Sequence, residues 1–331
     1  MLAGGLSLLE KEAVGPATRQ DYAKRVETLQ RWVSRSGGFF DASAEGILWI
    51  LEFMDDMFFD GAPAEEGRKL LAAIRHFFPP FSSKGVGLDV HRIDRALKGW
   101  GRHTFTRARA PLPWIGATAL FGHLIFNRDL NAAISLALMF LTSVWPGELA
   151  TLKGKNLARP APSCQLPFWA LALRFMEDEV ATKTETFDES APFTLASHAW
   201  ILPVLEVLKA SRTDDQPLWH QTQAELASMV RDSAAALGMD HMQIVPYSFR
   251  HGGASRDLIS GERDLFTIKK VLRHLSDTTV RRYEKAGTLA LEARKIPLPT
   301  RQYGIIVANS LARTFLMPAS CPRPPRIPRA S

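Results

Sequence analysis

The stretch VLRHLSDTTVRRYEKAG, Val271 to Gly287, decides how the rest of the chain is read. It sets His274 nine residues before Tyr283, with Arg281 and Arg282 adjacent to each other between them. Ser276 and Asp277 are suited to cap a helix running from Ser276 through Tyr283 to Arg294. Tyrosine is scarce, with four in the whole chain. A polar turn followed by a helix carrying Arg-Arg-Tyr can hold a phenol against a phosphodiester. The same spacing also suits an ordinary surface helix with a half-buried tyrosine.

Working back, PYSFRHGGASRDL (Pro246 to Leu258) is the second informative stretch, with a helix expected from Ser248 to Ile259 and Arg250 and His251 at its start. Gly252 and Gly253 allow another backbone to come close. A guanidinium at a helix N-terminus grips an anion with two donors, and the free backbone N–H groups add to the attraction. A buried arginine paired with a carboxylate such as Asp257 fits the same letters. Further back, TSVWPGELATLKGKNL (Thr142 to Leu157) places Pro146 in the first turn of a helix and Glu148 at its positive end.

The rest of the chain supplies the frame. Helical spacing of apolar residues marks Thr18–Ser34, Ile47–Phe59, Leu70–Phe78 and Val90–Arg102, with no alternating strand among them. The first hundred residues therefore read as an all-helical bundle. TRARAPLPW (Thr106 to Trp114) is basic, punctuated by proline and without period, as a linker is. Beyond it, helices are expected at Ile115–Phe126, Leu130–Leu141, Trp200–Ala210, Ala224–Leu237 and Arg263–Leu272. PFWALALRF (Pro167 to Phe175) is the strand candidate and PFTLAS its return strand. The polar span between them reads as a hairpin with Lys183 near its tip. The fold class is thus mainly α with a small β-sheet. The expected division is a helical domain at 1–105, a linker at 106–114, an α+β domain at 115–300 and a C-terminal segment at 301–331. The Pro/Arg-rich tail after Met317 reads as disordered.

Composition narrows the partners. The net charge of +7 at pH 7 suggests a polyanion, but the excess is uneven. Residues 1–110 carry 16 Lys/Arg and 14 Asp/Glu; residues 301–331 carry five Arg and no acid; the middle is balanced. Two distant cysteines, Cys164 and Cys321, offer neither a disulfide framework nor a metal spacing, so a reducing compartment, nuclear or cytoplasmic, is expected. No apolar run is long enough to span a membrane, and MLAGGLSLLEKE lacks the basic start of a signal peptide. No metal, small-molecule cofactor or membrane is expected.

Taken together, LKGWGRHTFTRARAPLPW, PGEL, YSFRHGGAS and RHLSDTTVRRYEKAG resemble the tyrosine recombinase, or phage-integrase-like, family, and most closely its divergent members in protist and algal mobile elements. The resemblance implies an N-terminal DNA-clamping bundle, a basic linker and a catalytic domain. It implies a tyrosine that attacks a DNA phosphodiester, forms a 3′-phosphotyrosyl link and frees a 5′-hydroxyl, with no metal or nucleotide. On that pattern Tyr283 matches the nucleophile, Arg250 the second arginine, His274 the histidine nine residues before the nucleophile, Lys183 the hairpin general acid and Glu148 the first-box acid. Tyr247 stands where many members carry a histidine. Arg107, Arg109, Lys98, Arg102, Arg281, Arg282 and His251 become candidates for DNA contacts. Double-stranded DNA is the implied partner, and a tetramer on DNA is a possible assembly. The apolar run Ile305 to Leu316 suits docking on a neighbouring subunit, or closing its own domain.

One position departs from the family. Where its first box opens with arginine, this chain has Trp145. An indole offers one neutral donor and cannot neutralise a phosphate. Two readings follow: a DNA breaking and joining enzyme with impaired activity, or a DNA-binding module that has kept the fold and lost the chemistry. A helical protein–protein scaffold stands as a third.

Overall fold

The computed structural model of the chain describes residues 7–82, 87–103, 110–173, 175, 189–273, 283–284 and 286–327. The chain divides into two compact units, residues 1–108 and 109–331.

The N-terminal unit contains α1 (Leu8–Glu12), α2 (Pro16–Arg35), α3 (Ala44–Phe59), α4 (Ala64–Phe77) and α5 (His91–His103). Ser43 caps α3 through its hydroxyl, and Pro16 opens α2 where a missing N–H costs nothing. Val26, Leu29 and Val33 of α2 fall at steps of three and four and meet Ile50, Met54, Leu70, Ile74, Ile93 and Trp100 in one core. No strand occurs among the described residues of this unit.

The C-terminal unit is built around α6 (Trp114–Phe126) and α7 (Leu130–Thr142), which are apolar on nearly every face. Such helices are stable only when surrounded. Around them lie α8 (Pro146–Leu149), α9 (Leu202–Ala210), α10 (Gln223–Ala236), α11 (Pro246–Ile259), α12 (Leu265–Leu272), α13 (Ala286–Lys295), α14 (Leu298–Ala308) and α15 (Leu311–Leu316). A three-stranded antiparallel sheet flanks them: β1 (Leu157–Ala158), β2 (Ala170–Leu173) and β3 (Glu189–Pro192), in that order. Leu171 and Leu173 point into the core, and Leu173 pairs with Glu189.

Several expectations are corrected here. The return strand is Glu189–Pro192 rather than PFTLAS, and β1 was not foreseen. Phe193 adds one backbone bond, to the Trp169 carbonyl at 2.8 Å, before the chain turns away. Of the expected helix from Ser276 to Arg294, residues 276–282 and 285 lie outside the described residues; Tyr283 lies in a tight turn, Glu284 is not helical, and α13 begins at Ala286. The Tyr283 ring is buried with Ala254, Ile268 and Leu272. The tail after Met317 is not disordered through residue 327. Cys321 Sγ donates to the Gly122 carbonyl at 3.2 Å, the Tyr303 hydroxyl donates to the Pro322 carbonyl at 3.2 Å, and Ile327 borders Gly238. A proline-rich chain has little backbone entropy to lose, so few contacts suffice to seat it. The run Ile305 to Leu316 closes its own unit, with Val307, Leu311 and Phe315 in the core.

The packing of α11 on α7 positions everything that follows. A Cβ on Gly253 would overlap the Phe140 carbonyl, and one on Gly252 would overlap the Leu112 carbonyl. Backbone, unlike a flexible side chain, has no room to give. Gly253→Ala should therefore lower the stability of the C-terminal unit by about 3 kcal/mol. Gly287→Ala in α13, where a Cβ meets open space, should leave it within about 0.5 kcal/mol of wild type. Urea unfolding of the two variants checks this, and equal losses would refute the close-packing argument.

Candidate functional site

Helix α11 carries the centre of the site. Its N-cap is Val245 and Pro246 is its first residue, so Arg250 lies in the second turn and not at the free N–H groups expected from the sequence. Tyr247, Arg250, His251 and Ala254 share one face through their spacing of three and four. Ala254 is buried with Ile268, Leu272 and Tyr283, which brings α11, α12 and the Tyr283 turn together.

Arg250 is fully buried. It is not paired with Asp257, which instead meets Arg263 at 2.7 Å. Arg250 Nη2 donates to the Leu272 carbonyl at 2.7 Å, at the C-terminus of α12. Its Nε and Nη1 have no well-formed hydrogen bond among the described residues. Burial pushes the guanidinium pKa down, the Tyr283 phenol opposes this, and nearby Arg273 adds to the fall.

Trp145 lies across this guanidinium, with the Arg250 Cζ 4.1 Å from its ring centre. A cation over an indole face in a dry setting gains about 2 kcal/mol. The same ring stacks on Tyr247 at 5.5 Å and 23°. The aromatic series continues from Tyr247 to His251, edge to face at 4.6 Å, and from His251 to Tyr283, stacked at 4.9 Å and 23°. The Tyr283 ring is buried, and burial pushes its phenol up to about 12, with the Arg250 guanidinium pulling the other way and Tyr247 adding to the rise.

Glu148 is buried at the start of α8 and accepts the Trp145 backbone N–H at 3.0 Å. Its main partner is Arg273, a residue the sequence reading missed. Arg273 Nη1 donates to Glu148 Oε1 at 2.7 Å and to Glu189 Oε2 at 3.0 Å, and Nη2 donates to Glu148 Oε2 at 2.5 Å. A basic residue just past the end of α12 was visible in the sequence, but its partners stand 125 and 84 residues away. Lys153 and Lys155 line a cleft with Glu148, and the Lys155 ammonium lies 5.0 Å from the Phe175 ring centre.

The structure thus brings together Tyr283, Arg250, Tyr247, His251, Trp145 and Glu148. His274, Lys183, Arg281, Arg282, Arg107 and Arg109 lie outside the described residues. Lys98 and Arg102 belong to the N-terminal unit, on the solvent face of α5 with Arg92 and Arg95. No group of three or more His, Cys, Asp or Glu arranged to hold a metal occurs among the described residues, and no helix there is long and apolar enough to cross a membrane.

Comparison with solved structures adds to this geometry. The XerH site-specific recombinase bound to palindromic difH substrate, a post-cleavage complex, superposes with a TM-score of 0.51 at 15% identity, over 75% of this chain and 71% of that one. The Tn1549 transposon integrase in complex with transposon right-end DNA superposes with a TM-score of 0.57 at 13% identity, over 84% of this chain and 98% of that one. The chain has the tyrosine-recombinase fold. No protein-family model and no curated protein matches the sequence. In this chain the Trp145 indole packs on the Arg250 guanidinium.

The Tyr283 environment has a consequence in alkali. A phenol raised from about 10 to about 12 stays neutral in the folded unit while it ionises in the unfolded chain. Its contribution is therefore intact below about pH 10 and is lost as pH rises toward 12, by about 3 kcal/mol in all. Tyr283→Phe should show a smaller loss of stability over that interval, measured as the shift of the urea midpoint between pH 9.5 and 11.5.

Proposed function

We propose that this chain is a recombinase- or integrase-like DNA-binding protein, and that Arg250 and Tyr283 form the pair that engages a DNA phosphodiester. The observation that carries the reading is Arg250: a fully buried guanidinium, two of its nitrogens without a well-formed bond among the described residues, beside a buried phenol. Leaving charged donors buried and unsatisfied is costly. A phosphate oxygen accepts from them, and the same placement sets phosphorus next to the phenol. The DNA complexes of structures with this fold support the choice of polyanion.

The proposed reaction needs no cofactor. The Tyr283 phenol oxygen attacks phosphorus as its proton departs. A tyrosyl–phosphate bond forms at the 3′ side, the bond to the 5′ oxygen breaks, and that oxygen takes up a proton as a 5′-hydroxyl. One phosphoester replaces another, so rejoining is the reverse step. With a pKa of about 12, roughly one phenol in ten thousand is ionised at pH 8. Proton loss is therefore coupled to attack, and the nearby guanidinium stabilises the charge as it develops. Lys183, as the proposed acid, and His274, on the phosphate, complete this reading from the sequence.

Trp145 weakens the chemistry. Losing one preorganised donor from such a site costs about 10²–10³ in rate. The indole lying on the guanidinium favours a second reading, a DNA-binding module that no longer cuts. A nicked suicide duplex that traps the phosphotyrosyl link separates the two. Slow adduct formation is expected from wild type, none from Tyr283→Phe, and faster formation from Trp145→Arg. No adduct from wild type alongside adduct from Trp145→Arg would leave the binding-only reading standing. Both readings require duplex affinity that falls by about 10³ or more between 50 and 200 mM salt, checked by fluorescence anisotropy. Tyr283→Phe should leave that affinity unchanged.

A further inference from the structure

Among the described residues, Nε and Nη1 of Arg250 have no well-formed hydrogen bond, and a buried carboxylate, Glu148, lies close enough for its charge to be felt by that guanidinium. Opposite charges in a dry interior attract strongly. Their failure to pair needs a cause, and Arg273 supplies one. Both Glu148 oxygens are already occupied: Oε1 by Arg273 Nη1, and Oε2 by Arg273 Nη2 and the Trp145 N–H. Glu189 of β3 anchors Arg273 from the other side at 3.0 Å. The backbone is arranged for this. Leu272 gives its carbonyl to Arg250, and the next residue, Arg273, turns left-handed with φ of 56° and sends its side chain to Glu148. A non-glycine residue in that region costs about 1 kcal/mol or more and persists only where its surroundings hold it.

We propose that Arg273 is a positioning residue for the phosphate site: by sequestering Glu148 it keeps the Arg250 fork open for an anion. This rests on the reading of Arg250 as a phosphate holder. Without Arg273, Glu148 turns onto Arg250 and occupies the donors that a phosphate needs. The first box then blocks the second. With Arg273 in place, the carboxylate is neutralised by a cation that need not touch the substrate. Arg273 also joins α8, β3 and the end of α12, so the same ion pairs hold three parts of the site in register.

The test titrates inorganic phosphate into the full chain at constant ionic strength, by calorimetry. The relevant component is the one lost in Arg250→Lys. In Arg273→Met that component should weaken by about tenfold or more. In the double variant Arg273→Met/Glu148→Gln it should return to within about threefold of wild type, because the competing carboxylate is gone. A merely structural Arg273 gives no such rescue, since a second loss would only add to the first. Arg250-dependent binding that is unchanged in Arg273→Met, or a loss that Glu148→Gln does not repair, overturns this role and leaves the phosphate site standing. Phosphate binding with no Arg250-dependent component overturns the site itself, and this role with it. Should Arg273→Met fail to fold by circular dichroism, Arg273→Lys and Arg273→Lys/Glu148→Gln carry the same comparison. The lysine engages one Glu148 oxygen, and the same repair is expected.

Discussion

A guanidinium cannot be taken out of water without compensation, and the C-terminal unit is organised around that constraint at Arg250. The residue is fully buried, yet among the described residues only one of its nitrogens is firmly bonded, to the carbonyl that ends α12. Trp145 covers its face, which gives back part of the lost hydration as cation–π attraction. The tight packing of α11 on α7 fixes the depth at which it sits, because Gly253 leaves no gap against the Phe140 carbonyl. Tyr283 is drawn into the same dry region, and its raised pKa follows from that burial. The aromatic rings from Trp145 to Tyr283 act as the low-dielectric wall that makes the one charge count.

The charges around it form a second layer. Glu148 is buried and Arg273 partly so, and each is bonded to more than one group. A buried ion pair rarely adds net stability, because desolvation of both partners offsets their attraction. Its value lies in geometry, since only one arrangement satisfies both ions. The N-terminal unit handles charge differently. Its near-neutral balance hides a separation: α3 carries Glu45, Glu52, Asp55 and Asp56 and no Lys or Arg, while the exposed face of α5 carries Arg92, Arg95, Lys98 and Arg102. Net charge alone conceals such a field.

The sequence made much of the fold legible, for identifiable reasons. Helices α2, α3 and α5 follow apolar spacing to within a few residues; α4 starts at Ala64, ahead of the apolar residues that marked it, and α1 was not foreseen. Arg250 and Tyr283 were singled out by their motifs, and α11 does bring them together. What failed was local in appearance but set by distant contacts. The helix drawn through Tyr283 does not run on through Glu284, and the Tyr283 ring is buried with residues of α11 and α12 far from it in sequence. The return strand was placed late because register depends on β2, not on its own composition. Arg273 was passed over because its meaning lies in Glu148 and Glu189, and spacing along the chain carries no trace of pairs so far apart. The tail was read from composition as unbound, yet it finds a groove beside Gly122 and Gly238.

That tail, with α14, sets an order of events in time. Helix α6 opens the C-terminal unit, and its closest cover comes from α14: Thr118 bonds the Gly304 carbonyl at 2.9 Å, and Tyr303 and Val307 press on Gly122. Cys321 reaches the same turn of α6 across 199 positions of sequence. Contacts of such separation are slow to form and cannot begin before both partners exist. On a ribosome adding about 5–20 residues per second, the N-terminal unit is complete while the apolar helices α6 and α7 still lack their cover. Helix α7 gains its cover with α11, but the face of α6 around Gly122 waits until residues 298–327 emerge. A chain stopped short of α14 would keep that face of α6 uncovered.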